Sequence, residues 1–99
     1  MTSTKTTHIV LKKKHDIRKI AQGYGARNVS LFGSFATGAA TESSDVDILV
    51  ELEAGRTLLD LVAIKQDLED LLGRPVHVVT AAALSSYLRE DVLKEAVAL

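Results

Sequence analysis

Apolar residues recur along this chain with two periods, and the longer period predicts helices. One stripe with helical spacing covers about residues 9–24, with a short strand over residues 8–11 as the alternative for its first turns, and a second stripe covers about residues 57–72. Thr57 with Asp60 three positions later forms the pattern of a capping box, which marks the start of the second helix. Apolar residues at helical spacing also follow Leu84, so helical segments are expected towards the C-terminus.

The shorter period, an alternation of apolar residues with others, predicts strands. Residues 28–32 are rich in β-formers and stop at Gly33, after which residues 34–39 form a short helical turn. Residues 45–52 alternate, which gives a strand one buried face and one face that begins acidic. Residues 75–80 supply a third strand. Strands separated by helices predict an α/β (α+β) domain with a small mixed sheet and flanking helices.

Composition narrows the class of protein. A chain of 99 residues with 46% hydrophobic content fits one domain over residues 1–99. The lack of cysteine excludes disulfides, thiolate catalysis and cysteine-ligated zinc. No apolar run reaches membrane-spanning length and no signal-peptide pattern is present, so a cytoplasmic protein without membrane contact is expected.

The net charge of −1 conceals a basic start. Residues 1–19 carry six lysines and arginines against Asp16, a balance of +5, so the remaining residues sum to −6. A solvated helix face accounts for this pattern. A nucleotide tail, an RNA or an acidic partner at this end are the alternatives.

The segment from Gly33 to Glu51 carries the chemistry. The pair Gly33-Ser34 stands ten residues ahead of Asp45, and Asp47 follows two positions later. Side chains two apart on a strand point to the same face, so the two carboxylates can converge on a hard cation such as Mg²⁺. A glycine turn leading into a helix offers backbone N–H groups to anions. Together these features predict a site for a nucleotide triphosphate.

These residues resemble the minimal nucleotidyltransferases of the DNA polymerase β superfamily, whose motif is G-S-x-A-R-G followed by S-D-x-D. The chain matches this motif, with the ten-residue gap intact, at Gly33, Ser34, Ala36, Gly38, Ser44, Asp45 and Asp47. The resemblance covers most of the chain and implies the polymerase β palm-like fold. It also implies Mg²⁺ or Mn²⁺ as cofactor, held by Asp45 and Asp47, and ATP as substrate. The nucleotide would be bound around Gly33, Ser34, Thr37 and Ser44.

Two positions depart from the family pattern. Thr37 stands where the family usually has arginine, so a positive charge near the phosphates is missing. His77 stands where the family's V-D-x-V-T pattern carries a third carboxylate, which would help bind the metal and take the proton from the attacking hydroxyl. With Asp45 and Asp47 it completes the candidate catalytic set. Three interpretations of His77 are open. It is a strand histidine without a catalytic role, a base that replaces the carboxylate, or a ligand to a softer metal such as Zn²⁺ or Mn²⁺.

Two functions fit this sequence. As an enzyme, the protein transfers AMP from Mg²⁺–ATP to a hydroxyl. The resemblance to the small stand-alone members implies that the acceptor is a tyrosine of a HEPN-domain ribonuclease toxin, with this chain as antitoxin and nucleic acid not a direct substrate. As a binding module, it neutralises its partner by contact alone, which Thr37 and His77 both favour. The apolar residues 95–99 predict a protein interface, with homo- or hetero-oligomers formed through the C-terminal helix.

Overall fold

Helices and strands alternate along the chain in the order that the two apolar periods predict. The structure is a computed structural model, and it describes residues 9–41, 43–84 and 86–99, with the side chains of residues 86 and 87 left out of the description. A helical turn over residues 9–12 precedes the elements α1 (Lys14–Gly23), β1 (Ala26–Phe32), α2 (Ser34–Thr37), β2 (Val46–Leu52), α3 (Leu58–Leu72), β3 (Val76–Thr80), a 3₁₀ turn (Ala81–Ala83), α4 (Ser86–Glu95) and β4 (Val97–Ala98).

The strands form one mixed sheet in the order β3-β2-β1-β4. The central strand β1 is antiparallel to both of its neighbours, whereas β2 and β3 run parallel. In this register Asp47 of β2 lies opposite Phe32 of β1 on one side and opposite His77 of β3 on the other. The predicted α/β domain with a small mixed sheet and flanking helices is therefore confirmed.

One face of the sheet carries the core, and the other carries the acidic residues. Helices α1 and α3 pack on the core face, where the fully buried residues include Ile17, Leu31, Val46, Ile48, Val50, Ile64, Leu68 and Val76. Because side chains alternate along a strand, the burial of Val46, Ile48 and Val50 directs Asp47 to the opposite face. We call this opposite side, which carries Asp47, Leu49 and His77, the open face. No helix in the described ranges is long and apolar enough to cross a membrane.

Hydrogen bonds cap the start of α3 and join its C-terminal part to β3. The capping box predicted at Thr57 and Asp60 is present. Near the other end, the Glu69 carboxylate accepts hydrogen bonds from the Val76 backbone N–H at 3.0 Å and from Lys65 at 3.1 Å. These bonds, the Val76 one first, lower the pKa of Glu69, so their contribution to folding is lost as the pH falls through that lowered value. The anchored Val76 directly precedes His77.

The element boundaries differ from the sequence prediction in several places, and α2 ends at Thr37 rather than at residue 39. A turn at Lys13 divides the first predicted helix, and β1 begins at residue 26 rather than 28. Residues 97–98 form the edge strand β4, which no pattern had predicted, and the Leu99 N–H donates to the Val29 carbonyl at 2.9 Å. This pairing covers part of the apolar C-terminal end, although the side chains of Leu93 and Val97 stay 51% and 39% exposed.

Candidate functional site

Three of the predicted site residues meet on the open face of the sheet. His77 and Asp47 are partners in the parallel register of β2 and β3, and Asp45 directly precedes β2. The Nε2 atom of His77 lies 2.9 Å from the Oδ2 atom of Asp45, with both side chains about half exposed. The structure thus brings Asp45, Asp47 and His77 together, as their strand positions led us to expect.

The Gly33 turn packs directly against this cluster. Gly33 has φ 69° and ψ −150°, a combination that is essentially restricted to glycine. A Cβ atom at Gly33 would lie only 2.4 Å from Oδ2 of Asp47. The short helix α2 starts here, with the N–H groups of Ala36 and Thr37 both donating to the Gly33 carbonyl, at 3.0 and 3.2 Å. Among the described residues, the Ser34 hydroxyl at the head of α2 has no hydrogen-bond partner.

Replacing Gly33 with alanine is expected to destabilise the fold and displace the Asp47 carboxylate. The left-handed backbone conformation alone costs about 1–3 kcal/mol for a residue with a Cβ atom, and the contact with Asp47 adds to this. Gly23→Ala is the matched control, because no atom lies within 4 Å of a Cβ there and the backbone is helical. Denaturant unfolding compares the two variants. Equal stability of both would contradict this account of the turn.

The environment of Asp47 disfavours its charged form. Partial burial raises the pKa of Asp47, the positive charge of His77 lowers it, and the neighbouring Asp45 carboxylate raises it, with a net shift above the ordinary 3.8. A raised pKa means that the folded protein binds this proton more tightly than the unfolded chain. Folding stability is therefore lost as the pH rises from the ordinary pKa through the raised one. A cation between the two carboxylates would remove this penalty.

Asp47→Asn is accordingly expected to stabilise the protein at pH 7 in the absence of divalent metal. At about pH 3 the carboxyl group is protonated in both states, so the gain should vanish there. Thermal unfolding across pH 3–7 in EDTA measures this, with Asp91→Asn on the exposed surface of α4 as the control. A loss of stability on Asp47→Asn at neutral pH would mean that the carboxylate has a structural partner.

The remaining predicted nucleotide-binding residues flank the site and bond to nearby backbone. The exposed Thr37 hydroxyl donates to the Ser34 carbonyl at 3.4 Å. The Ser44 hydroxyl accepts from the Thr41 N–H at 2.8 Å, within the loop that leads to Asp45. Thr37 ends the helix that follows Gly33, Ser44 directly precedes Asp45, and the roles of both hydroxyls in nucleotide binding stay predictions.

Arg74 is a site neighbour that the sequence interpretation missed. Its Nη1 atom donates to the backbone carbonyls of Thr41 and Ser44 at 3.4 and 3.5 Å. Its guanidinium carbon also lies 5.3 Å from the centroid of the Phe35 ring. A single arginine between a helix and a strand forms no motif, so the sequence alone gave no signal for these contacts.

The ligand set suits a hard cation that shares its coordination with a substrate. Asp45 and Asp47 supply carboxylate oxygens on one face, with His77 against Asp45. Over the described ranges, no three His, Cys, Asp or Glu side chains are arranged to hold a metal by themselves. Mg²⁺ is typically bound by one or two carboxylates together with water and phosphate oxygens. The residues therefore fit Mg²⁺ or Mn²⁺ bound with a nucleotide.

Comparisons with known proteins agree with this site. A profile of the nucleotidyltransferase domain family matches residues 12–99. A candidate protein adenylyltransferase of Methanocaldococcus jannaschii is 43% identical over 84 residues, which cover 85% of this chain and 90% of the relative. The protein adenylyltransferase MntA of Thermococcus cleftensis is 39% identical over 80 residues, 81% of each chain.

Solved structures place the chain in the same group. The structure of a candidate minimal nucleotidyltransferase matches with a TM-score of 0.86 at 42% identity, over 94% of this chain and 95% of that one. A chain from a tyrosine-to-alanine mutant of the MntA–HpeT toxin–antitoxin complex matches with a TM-score of 0.72 at 25% identity, over 86% of this chain and 69% of that one. The family profile and these relatives show that the chain belongs to the nucleotidyltransferase domain family.

Proposed function

We propose that the protein transfers AMP from Mg²⁺–ATP to a hydroxyl group of a partner protein. The observation that carries the proposal is the contact between the Gly33 turn and Asp47, on the face that also holds Asp45. This contact supports a site in which the glycine turn binds the phosphates and the two carboxylates bind the cation on the same nucleotide. The family and the names of the relatives support nucleotidyl transfer as the reaction.

The proposed reaction needs positioning and charge stabilisation more than covalent chemistry. The Gly33-Ser34 turn holds the phosphates beyond the reacting centre, while Asp45 and Asp47 hold the cation. The cation, when bound, neutralises charge on the phosphates and the leaving group. The acceptor oxygen forms a bond to the α-phosphorus as the bond to the bridging oxygen breaks. The bonding electrons leave with pyrophosphate, and the hydroxyl proton passes to a base.

The hydrogen bond between His77 and Asp45 prevents the Nε2 atom of His77 from being that base. An ionised Asp45 can only accept a hydrogen bond, so Nε2 of His77 must donate its proton across the 2.9 Å contact. The Nε2 atom is then unavailable as a base, which leaves only Nδ1 of a neutral His77 to accept a proton, and His77 competes with the cation for Asp45. This supports the interpretation of His77 as the replacement of a carboxylate by a weaker group.

A tyrosine of a toxin is the acceptor that we propose. Both relatives carry the name protein adenylyltransferase, and one structural neighbour is a toxin–antitoxin complex with a substituted tyrosine. Together with the motif resemblance, these names support a HEPN-domain toxin as the partner and an antitoxin role for this chain. We place the reaction in the cytoplasm, where ATP is abundant.

Label transfer from α-labelled ATP onto a co-purified partner tests the proposal. The natural chain and Asp91→Asn are expected to label the partner with Mg²⁺ present, whereas Asp47→Asn is expected to leave it unlabelled. Label on the partner in the Asp47→Asn reaction would place the chemistry elsewhere and overturn the proposal.

The binding-module alternative has its own supporting observation. His77 is paired with Asp45 rather than aimed at an acceptor, and Thr37 supplies no positive charge. If the natural chain retains the toxin in a pull-down and protects cells from it without labelling it, contact alone is the mechanism. If the Asp47→Asn variant still protects cells from the toxin, this result would also support neutralisation by contact alone.

A further inference from the structure

We propose that Arg74 is a positioning residue, which holds the loop carrying Ser44 and Asp45 in register with the Gly33-Ser34 turn. The proposal rests on the proposed function in one respect, namely that these two parts bind one Mg²⁺–nucleotide. Arg74 does not contact the nucleotide in this proposal. It acts through the backbone that places Asp45.

The two halves of the site need such a connection. The phosphate turn belongs to α2, which ends at Thr37, while Asp47 lies in β2, which begins at Val46. Asp47 is held by the strand ladder on both sides. Asp45 precedes the strand, at the end of a connection over residues 38–45 that is neither helix nor strand where it is described. The strand ladder therefore does not by itself fix the Asp45 carboxylate.

Arg74 contacts both halves at once. Towards the loop, Nη1 donates to the Thr41 and Ser44 carbonyls at 3.4 and 3.5 Å. These two bonds hold the loop at both ends of the segment that directly precedes Asp45. Towards the phosphate turn, the guanidinium lies over the ring of Phe35, 5.3 Å from its centroid. Phe35 is fully buried and directly follows Ser34, so its ring is a rigid support. One planar group thus connects the loop to α2.

The shape of arginine matters for this connection. Each of the two hydrogen bonds is long, so neither holds the loop alone. A guanidinium can stack on a ring while its edge donates to two carbonyls, whereas a lysine ammonium is a point charge that cannot do both. The Pro75 carbonyl, next to Arg74, accepts a hydrogen bond from the Val46 N–H at 3.0 Å. This bond fixes the start of β2, directly after Asp45.

Arg89 offers a matched control within the same chain. Its side chain also donates to two backbone carbonyls, those of Ala81 and Leu84 at 3.0 and 3.4 Å, and it is also part-buried. Those carbonyls belong to the segment between β3 and α4, which follows Thr80, the partner of Val50 at the opposite end of β2 from Asp45. Arg89→Ala therefore removes comparable contacts without loosening Asp45.

The first measurement is Mn²⁺ affinity in the presence of a non-hydrolysable ATP analogue. Arg74→Ala and Arg74→Lys are both expected to weaken Mn²⁺ binding by about tenfold. This is the change in affinity that corresponds to the loss of a hydrogen bond from a charged group. Arg89→Ala should leave the affinity unchanged at a similar loss of thermal stability. Natural affinity in Arg74→Lys would show that charge alone suffices and would overturn the proposal.

The second measurement needs no ligand, so it separates this proposal from the proposed function. Amide hydrogen exchange at residues 43–46 is expected to quicken in Arg74→Ala and to stay unchanged in Arg89→Ala. If the natural chain binds no Mn²⁺–nucleotide but this difference is found, the proposed function fails while the positioning role stands. If exchange is unchanged in Arg74→Ala, the positioning role is wrong.

Discussion

Replacing both Asp45 and Asp47 with asparagine is expected to abolish Mg²⁺–ATP binding and nucleotidyl transfer. These residues are the two hard ligands beside the Gly33 turn, and an amide is a much poorer ligand for Mg²⁺ than a carboxylate. A bound metal stabilises the charge that develops in the transition state by several kcal/mol. Because each 1.4 kcal/mol changes a rate about tenfold, the rate of transfer should fall by about 10²- to 10⁴-fold. Calorimetry and label transfer measure the two effects.

The double variant should nevertheless fold. Asp47 is partly buried with a raised pKa, so the removal of its charge relieves a penalty. The control is the pair Asp70→Asn and Asp91→Asn, which removes two exposed carboxylates from α3 and α4 and leaves Asp45 and Asp47 in place. Nucleotide affinity that survives in the Asp45/Asp47 variant would mean that the nucleotide binds elsewhere on the protein.

His77→Asp is expected to raise nucleotidyl transfer onto the partner. The substitution removes the hydrogen bond that ties up Asp45, and it adds a third anionic ligand with a base beside the acceptor. General-base assistance typically contributes about 10²- to 10⁴-fold, so even a partial repair is measurable. The rate of label transfer at saturating Mg²⁺–ATP is the quantity to compare.

His77→Asn separates the two parts of that effect. It also frees Asp45, but it supplies neither a charge nor a base, so it should gain metal affinity with little gain in rate. Three carboxylates on one face repel each other, so His77→Asp should be less stable than the natural chain in EDTA and recover with Mg²⁺. A natural chain that transfers well and loses rate on His77→Asp would show that histidine is an adopted catalytic group.

The sequence predicted that Asp45, Asp47 and His77 lie on one face of the sheet, because the strand period of two converts spacing along the chain into position. Asp45 and Asp47 share a face through the period of two, and the burial of Ile48 on the other face agrees with this. His77 joins them because parallel strands place equivalent positions of β2 and β3 side by side. The backbone of Gly33 and its contact with Asp47 follow from the same arrangement.

The features that the sequence did not predict depend on contacts distant along the chain. A strand of two residues such as β4 has no period to recognise, and it forms only because β1 offers an edge. The contacts of Arg74 join residues 30 or more positions apart, so no local sequence pattern predicts them. The turn at Lys13 lies in a run of five charged or polar residues, 12–16, which interrupts the apolar stripe without marking where the helix breaks.

The most direct measurement is a crystal structure of this chain with Mn²⁺ and a non-hydrolysable ATP analogue. An anomalous peak between the carboxylates of Asp45 and Asp47, with the phosphates against the Gly33-Ser34 turn, is the expected result. In that complex the contact between His77 and Asp45 should be broken. Metal and nucleotide bound away from the open face, or no binding at millimolar concentrations of both, would contradict the proposed site.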